Sequence, residues 1–191
     1  MYRGWALVEQ GQGKEGIAQI RQGLTAYRAT GAEMAVPYFL ALLAEAYGKV
    51  GEAEQGLAAL GDAFAQVEQT GERVYEAELY RLKGTLTLQS QASFKRVSNK
   101  SQTSQDKSEN TNPQAGEQEA EGYFLKAIDI ARQQQAKSLE LRATVSLTRL
   151  WQQQGKTKQA HNVLLDIYGW FTEGFNTKDL QEAKTLLEEL T

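Results

Sequence analysis

The sequence contains no cysteine, which rules out a disulfide framework, a thiolate metal site and a cysteine nucleophile and suits a cytoplasmic setting. Only two of its 191 residues are proline, and no segment alternates β-branched with polar residues, so an all-α chain is expected. Histidine occurs once, as His161, with no H-E-x-x-H spacing and no cluster of ligands around it, so no metal site is expected. No run approaches the roughly 18 apolar residues of a membrane span. Met1-Tyr2-Arg3-Gly4-Trp5 leads into a helical pattern instead of an apolar signal core, so neither export nor insertion is expected. An excess of positive charge is missing too: 21 Lys and Arg against 24 Asp and Glu leave a net charge of −3, no broad field for a nucleic-acid backbone. Neither a GxxxxGK[ST] phosphate loop nor a G-x-S-x-G turn is present, so no cofactor and no enzyme activity are expected.

What the chain does have is a repeat. Laid over itself at an offset of 40, it places Gly11 on Gly51, Gly16 on Gly56, Ile17 on Leu57, Ile20 on Leu60 and Leu24 on Phe64. The same offset carries Leu42 onto Leu82 and Ala44 onto Gly84. After Leu88 the register slips by a further 24, so that Gly56 meets Ala120 and Leu60 meets Phe124. Forty residues later Gly155, Ala160, Leu164 and Tyr168 complete a fourth unit. A period of this length marks a stacked solenoid. Inside each unit the apolar residues keep helical spacing, as in Leu40, Leu43, Ala44, Tyr47 and again in Leu57, Leu60, Phe64, Val67. Gly11, Gly51 and Gly155 separate the two stripes of a unit, where a helix must stop, and Gly31 and Gly71 end the second helices in the same way. The expectation is an α-solenoid of antiparallel hairpins, about four units long, in one domain spanning 1–191.

The pattern Leu43-Ala44, Tyr47, Gly51, Gly56, Leu60, Ala63, repeated as Leu147-Thr148, Trp151, Gly155, Ala160, Leu164, resembles the tetratricopeptide repeat. The small residues suit close helix crossings. The period of 40 exceeds the usual 34, which leaves longer helices or a HEAT-like repeat open. The last third holds Glu119-Ala120-Glu121-Gly122-Tyr123-Phe124, Ser146-Leu147-Thr148-Arg149-Leu150-Trp151 and Tyr168-Gly169-Trp170-Phe171-Thr172-Glu173-Gly174-Phe175. Here the chain is similar to the C-terminal helical-repeat region of large bacterial signalling proteins, which follows an AAA-type ATPase domain, often with a nucleotide-cyclase or kinase domain. Asn176 stands where that family generally has aspartate. The resemblance implies a regulatory or scaffolding module, or alternatively an effector-sensing domain that controls a separate ATPase, cyclase or kinase domain.

Residues 89–117 are rich in Ser, Gln, Asn and Lys, which offers little apolar surface to offset the cost of ordering, and are expected to form a disordered insertion in the third unit. Residues 177–191 read as a capping helix, with Thr177 as N-cap, a stripe of Leu180, Ala183, Leu186, Leu187 and Leu190, and a polar outer face. Trp170, Phe171 and Phe175 are expected to clamp that helix onto the fourth unit. With no chemistry of a catalytic kind in view, the surface is what remains. The tetratricopeptide resemblance puts the first helix of each unit along a concave groove, at contact positions that include Tyr38, Glu45, Arg81, Arg142 and Arg149. By spacing, Arg142 and Arg149 share a face opposite Thr144, Leu147, Thr148 and Trp151, and guanidinium groups suit carboxylate recognition. The expected partner is therefore a protein or peptide with acidic character, bound through arginines that are free of the core.

Overall fold

The computed structural model describes residues 1–100 and 113–191. Among them the chain is all-α, without a strand, and its helices pair in order. The first hairpin is α1 (Tyr2–Glu9) with α2 (Gly13–Ala29), and the second is α3 (Val36–Lys49) with α4 (Ala53–Thr70). The third is α5 (Glu76–Lys100) with α6 (Pro113–Gln133), the fourth α7 (Lys137–Gln153) with α8 (Thr157–Tyr168), and α9 (Lys178–Glu189) follows alone. This is an α-solenoid of helix hairpins, with boundaries where the glycine register places them.

The glycines stop the helices by a common device. Gly11, Gly51 and Gly155 have φ of 82°, 81° and 73°, a left-handed conformation that a Cβ disfavours. After α3, for example, Glu52 N–H folds back on the Tyr47 carbonyl at 2.9 Å. Within a hairpin, small residues let the backbones meet: a Cβ on Gly4 would lie 2.5 Å from the Gly16 carbonyl oxygen, and one on Gly16 would lie 2.5 Å from that of Gly4. Gly84 makes room for the Phe124 ring, which a Cβ would meet at 2.6 Å.

Curvature follows from the contact pattern. Successive odd helices touch (α1 with α3, α3 with α5, α5 with α7, α7 with α9), whereas no two even helices do so among the described residues. The layer of first helices is the tighter one and so forms the inner face. Behind it runs a core of Ile20, Leu60, Leu79, Leu86, Phe124, Leu147 and Leu164, each at most 1% exposed. Leu180, Ala183, Leu186, Leu187 and Leu190 close its end, in one cluster with Leu141, Val145 and Leu164 of the fourth hairpin.

Three features depart from expectation. Helix α5 continues to Lys100 and α6 begins at Pro113, so both flanks of the stretch read as a loop, 89–117, are helical; its middle, 101–112, lies outside the described residues. Packing between the two helices reaches into this stretch, where buried Gly116 abuts the Gln91 side chain. The aromatic clamp also differs. Phe171 packs against the terminal cluster, but Trp170 is 58% and Phe175 46% exposed. The last helix is held by its leucines instead. Thr177 does precede α9, yet its hydroxyl donates to the Gly174 carbonyl at 2.8 Å and leaves the helix N–H groups uncapped by a side chain.

Candidate functional site

Helices α1, α3 and α7 each present a stripe of three- and four-residue steps to the inner face: Tyr2, Trp5 and Glu9 from α1, Tyr38, Ala41, Glu45 and Lys49 from α3, Leu139, Arg142, Val145 and Arg149 from α7. The stripes meet in two adjoining cavities of about 420 and 240 Å³ that share Trp5, Glu45 and Arg142 as common wall. Glu45, Arg81, Arg142 and Arg149 line the larger one, and Tyr38, Glu45 and Arg142 the smaller. All five positions expected on the groove are thus gathered on one surface, from three successive units. His161 is half-buried on α8 and lines neither cavity.

The larger cavity is charged and laced with ion pairs. Arg81 donates through Nε and Nη2 to the two oxygens of Glu78, at 2.9 and 2.7 Å. Arg142 Nη1 approaches the same carboxylate at 3.1 Å, and its Nε lies 3.7 Å from Asp179 of α9. Arg149 reaches Glu182 at 2.8 Å. Lys49 pairs with Glu9 and, at 3.7 Å, with Glu45. Burial raises the Glu78 carboxyl, but Arg81, by charge and hydrogen bonds, together with Arg142, holds it below the usual carboxylate range. Lys49 is pushed below the usual lysine range by burial first and then by Lys178, Arg142 and Arg81 facing it. Lys178 has no ion pair among the described residues.

Arg142 bridges to carboxylates of neighbouring helices: two thirds of its side chain is covered, and it is the second cation on a carboxylate that is 7% exposed. Arg81 is more enclosed still, its side chain 13% exposed. Arg149, with 56% of its side chain exposed, is the freest of the three.

The smaller cavity is apolar. Tyr38 stacks on Tyr75 with ring centroids 4.5 Å apart and leans on Tyr2 at 6.3 Å. Trp5 completes the ring wall and donates its indole N–H to Glu45 at 3.4 Å. Ala41, Leu42, Leu82 and Leu139 add aliphatic wall, beside Glu45, Glu78 and Arg142. Of these aromatics only Tyr38 was picked from the sequence. The repeat carried a signal for Trp5, which occupies the position of Glu45 at the offset of 40, and for Tyr75, which falls on Leu139 once the shift of 24 is added.

Among the described residues no group of three or more His, Asp or Glu is placed to hold a metal ion, and no helix is long and apolar enough to cross a membrane. No protein-family model matches the chain, and no curated protein is similar enough in sequence to count as a relative.

Proposed function

We propose that the chain is a non-catalytic interaction module of the tetratricopeptide kind, which holds an acidic segment of a protein partner against its inner face. The observation that carries this is the convergence of Tyr38, Glu45, Arg81, Arg142 and Arg149 on one pair of adjoining cavities. Positions repeated along a solenoid form one continuous wall, which fits an extended ligand better than a compact one. The buried carboxylates support a non-catalytic role. Glu78 and Glu140 are held down by cationic partners, whereas an acid catalyst at neutral pH needs its carboxyl raised. The sequence likeness to helical-repeat regions of bacterial signalling proteins makes a regulatory module in such a system the setting we favour.

The test is direct binding of a labelled acidic peptide to the purified chain. Arg149 and Lys178 are the cations to change, because neither lies on the buried Glu78. The parent should bind with an affinity that falls as salt rises, since exposed charges are screened over about 8 to 10 Å at physiological ionic strength. Arg149→Glu with Lys178→Glu should abolish binding and leave the melt almost unchanged. A parent chain that shows no preference for acidic over basic peptides overturns the proposal.

One observation favours the effector-sensing alternative: about 420 Å³ falls within the range of roughly 300 to 1,000 Å³ common for small-molecule sites. On that reading a small dicarboxylate or phosphate, without any peptide, would raise the melting temperature of the parent and not of the double variant.

A further inference from the structure

The aromatic cavity beside the charged one asks for an occupant of a different kind. At about 240 Å³ it is smaller than the roughly 300 to 1,000 Å³ of typical small-molecule pockets, and it has room for one side chain. The rings of Tyr2, Trp5, Tyr38 and Tyr75 line it, together with Glu45, Glu78 and Arg142. Aromatic walls admit either an apolar group or a cation. The surrounding charges decide between them. Both oxygens of Glu78 are engaged by Arg81, with Arg142 on one of them, and Glu45 is engaged by Trp5 and Lys49, so neither carboxylate is left to balance an incoming ammonium. A cation would also enter beside Arg142. An apolar side chain meets neither objection.

The charged cavity behind the shared wall has the opposite preference. Five cations line it, Lys49, Arg81, Arg142, Arg149 and Lys178, against four carboxylates, Glu9, Glu45, Asp179 and Glu182, and Lys178 has no ion pair among the described residues. Donors exceed acceptors there. Because the cavities share Trp5, Glu45 and Arg142, they are about one side chain apart, and two residues of an extended segment span about 7 Å.

We infer that the partner segment carries an apolar side chain that enters the aromatic cavity and, about two residues away, a carboxylate that meets Arg142 and Lys178 in the charged one. The apolar anchor supplies affinity and the carboxylate fixes direction and register. The inference depends on the peptide-binding reading above and adds the anchor to it.

The probe is a set of fluorescent Gly-Ser peptides with Leu, Ala or Lys at one position and Glu, Ala or Lys two residues later, titrated into the parent chain and into Tyr2→Ala and Tyr75→Ala. The Leu–Glu peptide should bind roughly tenfold or more tightly than Ala–Glu, the scale set by burying one aliphatic side chain. Each variant should shrink that ratio toward one while keeping the preference for Glu over Lys at the second position. Tyr2 is 62% exposed, so its replacement reads the cavity even if Tyr75→Ala proves too unstable to purify. Three results overturn the anchor and leave the acidic groove standing: equal binding of Leu and Ala peptides with the Glu preference intact, a stronger response to Lys than to Leu at the first position, or a Leu preference that both variants retain. Loss of the Glu preference in the parent itself overturns the groove as well.

Discussion

Arg142 of α7 places its Nη1 3.1 Å from Oε1 of Glu78 on α5, and so ties two neighbouring units through a carboxylate that Arg81 already grips with two hydrogen bonds. The three residues differ in what their loss costs. Glu78→Ala leaves Arg81, whose side chain is 13% exposed, as an uncompensated cation, and removing one partner of a buried pair costs about 3 to 5 kcal/mol. Arg142→Ala leaves Glu78 still paired with Arg81 and removes a partly exposed contact, which should cost about 1 kcal/mol. Urea denaturation of the two variants tests the ranking. Equal losses would mean that Arg142, not Arg81, is the main partner of Glu78.

The same carboxylate predicts an acid limb. Its pKa in the folded chain lies below the ordinary value, so its contribution to stability is fully present above the pKa of an unfolded glutamate, about 4.3, and is lost as the pH falls through the folded value. The parent should therefore lose stability steeply below about pH 4.3. Glu78→Gln should be less stable at pH 7 and show a shallower slope on the acid side. Denaturant midpoints taken across that range measure both, and parallel curves for the two proteins would refute the assignment.

Gln135 occupies the repeat position of Gly31 and Gly71, shifted by 24 with the rest of the third unit, and it keeps their left-handed turn with φ of 55°. The conformation is the same but the residue carries a Cβ, at a cost on the order of 1 kcal/mol. Gln135→Gly should stabilise the chain by up to about 1 kcal/mol, less the extra backbone entropy that glycine gives the unfolded state. A higher urea midpoint with an unchanged slope is the expected observation.

Thr144 and Thr148 lie on the core stripe of α7 with exposures of 1% and 0%, and neither hydroxyl has a hydrogen-bond partner among the described residues. An unsatisfied buried hydroxyl costs about 1 to 3 kcal/mol, whereas valine has nearly the same shape and no polar atom to satisfy. Thr148→Val should raise the melting temperature. A clear drop would reveal a hydrogen bond to this hydroxyl in solution.

The fold was legible because its punctuation is local: glycines 40 residues apart, and then shifted by 24, mark most of the helix ends. The five residues that line the two cavities, Tyr38, Glu45, Arg81, Arg142 and Arg149, came from the tetratricopeptide resemblance. Their partners were not legible. Whether Arg142 points to water or to Glu78 depends on the spacing of α5 and α7 in space, which no local pattern carries. The aromatic cavity was hidden because Tyr75 lies just ahead of α5, outside any helical stripe, and Tyr2 and Trp5 belong to a unit with a shortened first helix.

Trp170 shows where the reading of aromatics as core failed, and it yields a prediction opposite in sign to the one its residue type suggests. A buried tryptophan cut to alanine costs about 3 to 5 kcal/mol. This one is 58% exposed, in the turn between α8 and α9, where it makes an edge contact with Phe171 at 5.2 Å and lies under the Lys137 ammonium at 5.7 Å. An exposed cation–π contact contributes about 0.5 to 1 kcal/mol. Trp170→Ala should therefore melt within about 1 kcal/mol of the parent, while Leu186→Ala, 4% exposed in the terminal cluster, should lose about 2 to 5 kcal/mol. Thermal melts of the two variants decide the matter. If the tryptophan variant suffers the larger loss, the clamp on α9 is aromatic after all and the leucine stripe is secondary.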